Sequence, residues 1–437
     1  MPKQKALFFL RHYNDIDHIT PVIYKWVHLT NIPARVLIRT DPAYLQDYRI
    51  RFLSQQPNVS VSWIGEYLTE QEVRTLNLAP TLTAQERRNP LRLAIRAWER
   101  LTAFRHTSLE DAYSTYLGER ILSREFAEGE AGIVVFDWVS LGEVQLKFAQ
   151  ALIDAAHRRG FVTISLPHGD SPYANRMFKV EDLNYDSWEH YGNNPFDHVV
   201  VPNPLTATRY LPCRSAERVH VLGSPRYNRE WLDTLDPLIP DFTTPKGEGK
   251  LKVVLFLRNP RFTIYWEELV RAMKLITQFP QVHLVVKHHT RGDAAKTDLA
   301  LESINFDPHR TPNLEVVYDD VHSPSLIRWA DVVLDLGTSV VNEAIVRGKP
   351  VLALEYLHAN ISTTAHYLPG TAMHCRDHLY DAIAALIKDP TTRLYTEEER
   401  QHFIHEMVEY PDEHVLERYV HFLRDRLSEK VPQYATA

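Results

Sequence analysis

Cysteine is nearly missing from these 437 residues. Only Cys213 and Cys375 occur, far apart and outside any metal-ligand spacing, which excludes a disulfide framework and a cysteine-based zinc site. Long hydrophobic runs are missing too. The start, MPKQKALFFLRHYND, holds five apolar residues in a row before Arg11, too few for a secretory core and far short of a membrane span. Nor is there a surplus of positive charge. Lys and Arg number 49 against 56 Asp and Glu, a formal charge of −7 and a pI near 6.3, which argues against bulk binding to nucleic acid. Low-complexity tracts and internal repeats at periods of roughly 20 to 50 residues are absent. These absences set the expectation of a cytoplasmic protein in a reducing compartment, with no nucleic-acid partner.

What is present is apolar patterning, with 44% hydrophobic residues over a length beyond the usual single-core ceiling of about 250 to 300 residues, so two domains are expected. Short aliphatic runs alternate with helical patterns at Ala6–Leu10, Arg35–Ile38, Val59–Trp63, Gly132–Phe136, Phe161–Leu166, Val199–Val201 and Val219–Leu222. This is the rhythm of a doubly wound α/β domain, residues 1–235. The stretch DPLIPDFTTPKGEG, residues 236–249, is rich in proline, glycine and charge and reads as a linker. The rhythm restarts over 250–395 with Lys252–Leu257, Val282–Val286, Leu314–Val317, Val332–Leu334 and Val351–Leu354. The charged helical tail, 396–437, is expected to pack across both domains.

Residues 69–128 lack strands and read as a helical insert. Within it Arg88, Arg92, Arg96 and Arg100 recur at steps of four, one basic stripe on a helix, beside an apolar face of Leu91, Ile95, Trp98 and Leu101. Two readings stand: a solvated face of a helix packed on its own domain, or a peripheral contact with the anionic inner face of the cell membrane.

Open parallel sheets bind ligands beyond the carboxyl ends of their strands, so polar residues there are the candidates. Five stretches qualify: LPHGDSPYANR, LGSPRYN, FLRNPR, VVKHHTRGD and DLGTS, residues 335–339. They supply His168, Asp170 and Arg176, then Ser224 and Arg226, Arg258 and Asn259, Lys287, His288 and His289, and finally Gly337, Thr338 and Ser339. The last three open a predicted helix whose hydroxyls would cap free amides and whose positive end suits a phosphate. Lys287, His288 and His289 crowd three potential cations at one strand end, a repulsion that an anion offsets. The early segment Asn14-Asp15-Ile16-Asp17 reads as a loop after the first strand whose Asp15 and Asp17 would touch an acceptor. No DxD-type metal motif with supporting neighbours appears, and no metal is expected.

The stretches VLGSPRYN, VVKHHTRGD and ADVVLDLGTSVVNEAIVRGKPVLAL, with the two-domain layout, resemble the GT-B glycosyltransferase superfamily. The likeness is to its bacterial surface-polysaccharide branch, which includes CDP-glycerol glycerophosphotransferases and the Kdo-transferring and capsule enzymes. His168-Gly169 resembles the start of the His-Gly-Thr-Pro loop that supplies a catalytic histidine there, with Asp170-Ser171-Pro172 in place of Thr-Pro. Lys287-His288-His289 resembles a Lys-x-His-Pro step, with threonine following. Asp335 to Ser339 resembles an Asp-Tyr-Ser-Ser step. The resemblance implies two Rossmann-like domains facing a cleft, with acceptor on the first and donor on the second.

It further implies a glycosyltransferase moving a sugar from a CMP-, UDP- or CDP-type donor to a glycan or lipid-linked acceptor, with no cofactor required. His168 would be the base, with Asp170 the second choice. Lys287, His289, Thr338 and Ser339 would meet the donor phosphates. Glu343 and Glu355 would accept from ribose or sugar hydroxyls, or else pair with Arg347 or Lys349. The alternatives are a CDP-glycerol-type glycerophosphotransferase, a nucleotide-sugar 2-epimerase and a non-catalytic nucleotide-sugar-binding protein.

Overall fold

The computed structural model describes residues 4–39, 41–70, 72, 109–137, 146–167, 195–208, 210–211, 214–258, 264–289, 301, 306–318, 321–358 and 361–429. All twelve apolar runs are strands: β1 (Gln4–Leu10), β2 (Ala34–Ile38), β3 (Val59–Trp63), β4 (Ala131–Asp137), β5 (Val162–Leu166), β6 (His198–Val201), β7 (Val219–Val221), β8 (Leu251–Phe256), β9 (Val282–Lys287), β10 (Leu314–Val317), β11 (Val332–Asp335) and β12 (Val351–Ala353). They build two wholly parallel sheets, one of seven strands in the order β3-β2-β1-β4-β5-β6-β7 and one of five in the order β10-β9-β8-β11-β12.

Burial on both faces explains why these strands read as unbroken apolar runs. In β1 successive side chains alternate between two cores. Phe8 and Leu10 join Ile16, Ile19, Ile23 and Trp26 of helix Tyr13–Thr30 and Tyr419 and Leu423 of helix Val415–Arg426. Leu7 and Phe9 join Leu117 and Ile121 of helix Leu109–Glu125 and Leu152 and Ala156 of helix Leu146–Arg158. Phe9 also stacks on Phe136 of β4 with ring centroids 4.9 Å apart. The five-stranded sheet has its own core, in which Val253, Leu255, Leu284 and Leu334 meet Leu269 and Met273 of helix Trp266–Thr277 and Leu379 and Ile383 of helix Arg376–Lys388.

The described residues divide into two compact units. The first takes residues up to 167, then 195–231, and then 409–429 at the end of the chain; the second takes 232–408. Within the segment read as a linker, Asp236–Leu238 and Pro245–Gly247 each form a single 3-10 turn. The charged tail holds helix Glu397–Ile404 in the second unit, a π-helical turn His405–Glu409, and helix Val415–Arg426 in the first unit. Among the described residues no helix is long and apolar enough to cross a membrane. Arg88, Arg92, Arg96 and Arg100 lie outside the described residues.

Candidate functional site

Each sheet reverses its winding direction between two neighbouring strands, β1 and β4 in the first unit and β8 and β11 in the second. In doubly wound sheets a crevice opens beyond the carboxyl ends of such a pair. Both reversals carry the same two charges. Arg11 follows β1 and Asp137 ends β4; Arg258 stands just beyond β8 and Asp335 ends β11. All four are buried.

In the first unit Arg11 Nη2 donates to Asp137 Oδ2 at 2.5 Å. Asp15 Oδ2 accepts from the Arg11 amide at 2.6 Å and from its Nε at 3.4 Å. Asp15 is fully buried, and burial, reinforced by the like charge of Asp137, pushes its carboxyl up to about 6 against the pull of Arg11. The result is a carboxyl pair bridged by one guanidinium, with one member raised to about 6. Such a group takes and returns protons at physiological pH.

Asp15 and Asp17 were expected on a loop; they lie in the first two turns of helix Tyr13–Thr30, because Tyr13 onward keeps the helical spacing of Ile16, Ile19 and Ile23 against the sheet. Asp17 pairs with Arg49, itself held by Asp47 at 2.9 and 2.7 Å, and with Arg226 at 3.1 Å. The two acidic neighbours hold the Arg49 guanidinium well above its ordinary range although burial opposes them. Ser224 is wholly buried, and its Oγ has no hydrogen-bond partner among the described residues.

In the second unit Asp335 is fully buried. Its Oδ1 accepts from the amides of Gly337 at 2.7 Å and Thr338 at 2.9 Å, and its Oδ2 accepts from Thr364 Oγ1 at 2.8 Å. Burial raises its carboxyl, opposed by those donors and by the charge of Arg258. The same burial lowers the Arg258 guanidinium to about 10, with Asp335 pulling the other way. Gly337 sits at φ +75°, a backbone region that favours glycine, which lets the chain turn back over the Asp335 carboxylate.

This turn changes the predicted helix start. The helix is Val341–Val346, with Val340 as its N-cap and no side-chain cap, and Thr338 and Ser339 precede it in a turn. The amides of Gly337 and Thr338 are spent on Asp335 rather than left open. Thr338 Oγ1 is buried and has no hydrogen-bond partner among the described residues.

The remaining candidates fall nearby in sequence but do separate things. Lys287 is buried and its Nζ donates to the carbonyl of Tyr318, while the His288 ring stacks on Tyr318 at 4.8 Å. His289 is only partly buried. Glu343 Oε1 accepts from Arg347 Nε at 2.9 Å, and Arg347 also pairs with Asp236 at 2.7 Å. Glu355 Oε2 accepts from the Ser362 amide at 3.2 Å; its Oε1 has no hydrogen bond among the described residues, and burial lifts the carboxyl to about 6. His168, Asp170, Arg176 and Asn259 lie outside the described residues. No group of three or more metal-ligating side chains comes together among the described residues.

Arg11 and Asp137 did not emerge as candidates from the sequence, and Asp335 entered only as the opening of DLGTS, without a role of its own. Each directly follows or ends an apolar run, the one signal that marks them. Without strand order, nothing distinguishes these strand ends from the others.

No family model and no curated protein sequence matches the chain. Solved structures do. The UDP co-structure of S. aureus MnaA has 14% identity and a TM-score of 0.55, covering 99% of this chain and 100% of that one. A UDP-N-acetylglucosamine 2-epimerase from Rickettsia bellii has 13% identity and a TM-score of 0.55, covering 98% and 96%. A glycosyltransferase from Rickettsia africae has 11% identity and a TM-score of 0.52, covering 98% and 100%. At such identities the likeness is one of fold, and the fold is GT-B, two α/β units on parallel sheets with a helical C-terminal region.

Proposed function

We propose that the protein is an enzyme acting on a nucleotide-activated sugar, with a uridine diphosphate as the nucleotide part and isomerisation of the sugar as the reaction. The observation that carries this reading is the paired Arg and Asp at the reversal point of each sheet, in a fold whose solved examples along nearly the whole chain include UDP-sugar 2-epimerases. The Arg11, Asp15 and Asp137 cluster supplies a proton acceptor with a pKa near 6, suited to lifting a proton from the sugar and returning one to the opposite face. In the second unit, Arg258, the Thr338 hydroxyl and Ser339 are assigned to the nucleotide diphosphate, and Glu355 to a ligand hydroxyl.

Transfer to an acceptor is the second reading. The surface-polysaccharide motifs favour it, as do a Rickettsia africae glycosyltransferase and an Anabaena protein solved with UDP and glucose among the matching folds. Incubation with UDP-N-acetylglucosamine and with CMP-, CDP- and GDP-linked sugars in deuterium oxide separates the two. Isomerisation predicts deuterium entering the sugar and a second isomer by NMR without acceptor. Transfer predicts nucleotide release that requires acceptor. Absence of both binding and turnover with every donor overturns the proposal. Asp15→Asn is expected to slow turnover by about 10²- to 10⁴-fold.

A further inference from the structure

A polar cavity lies at the amino-terminal end of the first sheet, opposite the cluster of Arg11 and Asp137. It has a volume of about 300 Å³ and is lined by Lys5 at the start of β1, Arg35 near the start of β2, Ser60 on β3, Tyr67, and Arg124 and Glu125 at the end of helix Leu109–Glu125. Three cations therefore face one carboxylate.

That carboxylate is already engaged. Glu125 accepts from Arg35 Nε at 3.0 and 3.1 Å and from the Tyr67 hydroxyl. Lys5 Nζ donates to the Glu125 carbonyl, so one cation is partly offset by the negative end of the helix, and Glu130 stands 3.7 Å from it. The other two keep open donors. Arg35 donates through Nε and through Nη2, the latter to Ser62 Oγ at 2.7 Å and to Tyr67, but Nη1 has no partner among the described residues. Arg124 is exposed and lies over the Tyr67 ring, 4.8 Å from its centroid, with no hydrogen bond to any described residue. A guanidinium held over an aromatic face keeps its N–H edges available to donate.

We infer that this cavity binds a phosphoryl group, held by the open edges of Arg35 and Arg124 with Lys5 and the Ser60 hydroxyl beside them. Two planar guanidinium edges and an ammonium around a concave polar space match a tetrahedral oxyanion, and arginine recognises such groups through paired N–H donors. The site takes inorganic phosphate or a small phosphate monoester. It is separate from the nucleotide-sugar reading, which rests on the other end of the strands.

Calorimetric titration of the full chain at low ionic strength, run first without UDP and again with UDP added to fill any donor site, tests it. Inorganic phosphate and a hexose 6-phosphate are the probes. One saturable equivalent is expected, weakening as salt is raised. Tighter binding of the ester assigns the site to a phosphorylated metabolite, and equal binding to free phosphate. Arg124→Gln is expected to weaken binding about tenfold, the scale of one charge-assisted hydrogen bond, and Arg124→Glu and Ser60→Glu more. Both positions are exposed, so the thermal midpoint without phosphate should not move. Should UDP bind nowhere, the comparison of wild type with Arg124→Glu still reads this cavity. No saturable phosphate binding, or identical titrations for wild type and Arg124→Glu, overturns the inference.

Discussion

Asp15 illustrates how much one buried carboxyl imposes on its surroundings. Its pKa rises from 3.8 to about 6, so the folded state holds the proton more tightly than the unfolded chain does. Its contribution to stability is therefore complete below the unfolded value and is lost as pH climbs through about 6. In Asp15→Asn that contribution disappears: urea midpoints measured from pH 4 to 8 should fall less steeply with rising pH than in wild type, while turnover slows by about 10²- to 10⁴-fold. Asp137→Asn removes the neighbouring like charge and should move the acid limb of a pH–rate profile below about 6. An unmoved limb would detach the titrating group from this pair. A sequence read residue by residue could reach Asp15, one polar position in an early segment, but not its partner. Arg11 and Asp137 are 126 positions apart, and only the adjacency of β1 and β4 joins them.

Secondary structure was far more legible than pairing. Every strand announced itself as an aliphatic run because both faces of each sheet are buried, so boundaries moved by only a residue or two. The helix after β11 was less legible: the Thr338 and Ser339 hydroxyls suggested caps, but the Asp335 side chain captures the amides first, and the helix begins later. Helix contact also hides in single letters. A Cβ at Gly118 would sit 2.9 Å from the Ala151 carbonyl oxygen, so Gly118 lets helix Leu109–Glu125 approach helix Leu146–Arg158. Gly118→Val should lower stability by about 1–3 kcal/mol, read from a denaturant midpoint.

At the other end of the chain, helix Val415–Arg426 leans on two histidines. His198 Nδ1 and His220 Nε2 are 3.0 Å apart; Phe422 packs on both rings, Glu429 meets His198 at 3.2 Å, and Arg426 pairs with Glu429 at 2.6 Å. Asp197 adds a further charge near His198. Burial lowers both histidines, His220 to about 4, with the charges of His198 and Arg426 adding to the effect on His220 and Glu429 opposing it on both. The neutral pair stabilises the fold above the ordinary histidine value of about 6.5 and is lost as pH falls toward 4. The protection factor for hydrogen exchange in this helix should therefore fall between those values, and His220→Gln should flatten the dependence.

On the scale of the whole molecule, the first unit is built from the two ends of the chain and the second from a stretch between them. The last helix contributes Val415, Leu416, Tyr419, Val420 and Leu423, each at most 1% exposed, most of them to the core that contains Trp26. Full burial of such side chains is worth about 1.5–3 kcal/mol each, and together they rival the total stability of about 5–15 kcal/mol expected of a domain. A chain ending at Val408 should thus lose the calorimetric transition of the seven-stranded sheet while keeping that of the five-stranded one. Retention of both transitions would show that the returning helix is dispensable.

The same route has a consequence in time. On the ribosome the five-stranded unit has emerged in full while the earlier-made sheet still waits for residues beyond 408 to cover Ile16, Ile23 and Trp26. The part made first is finished last, and until the returning helix arrives its open greasy flank is the surface a chaperone would find.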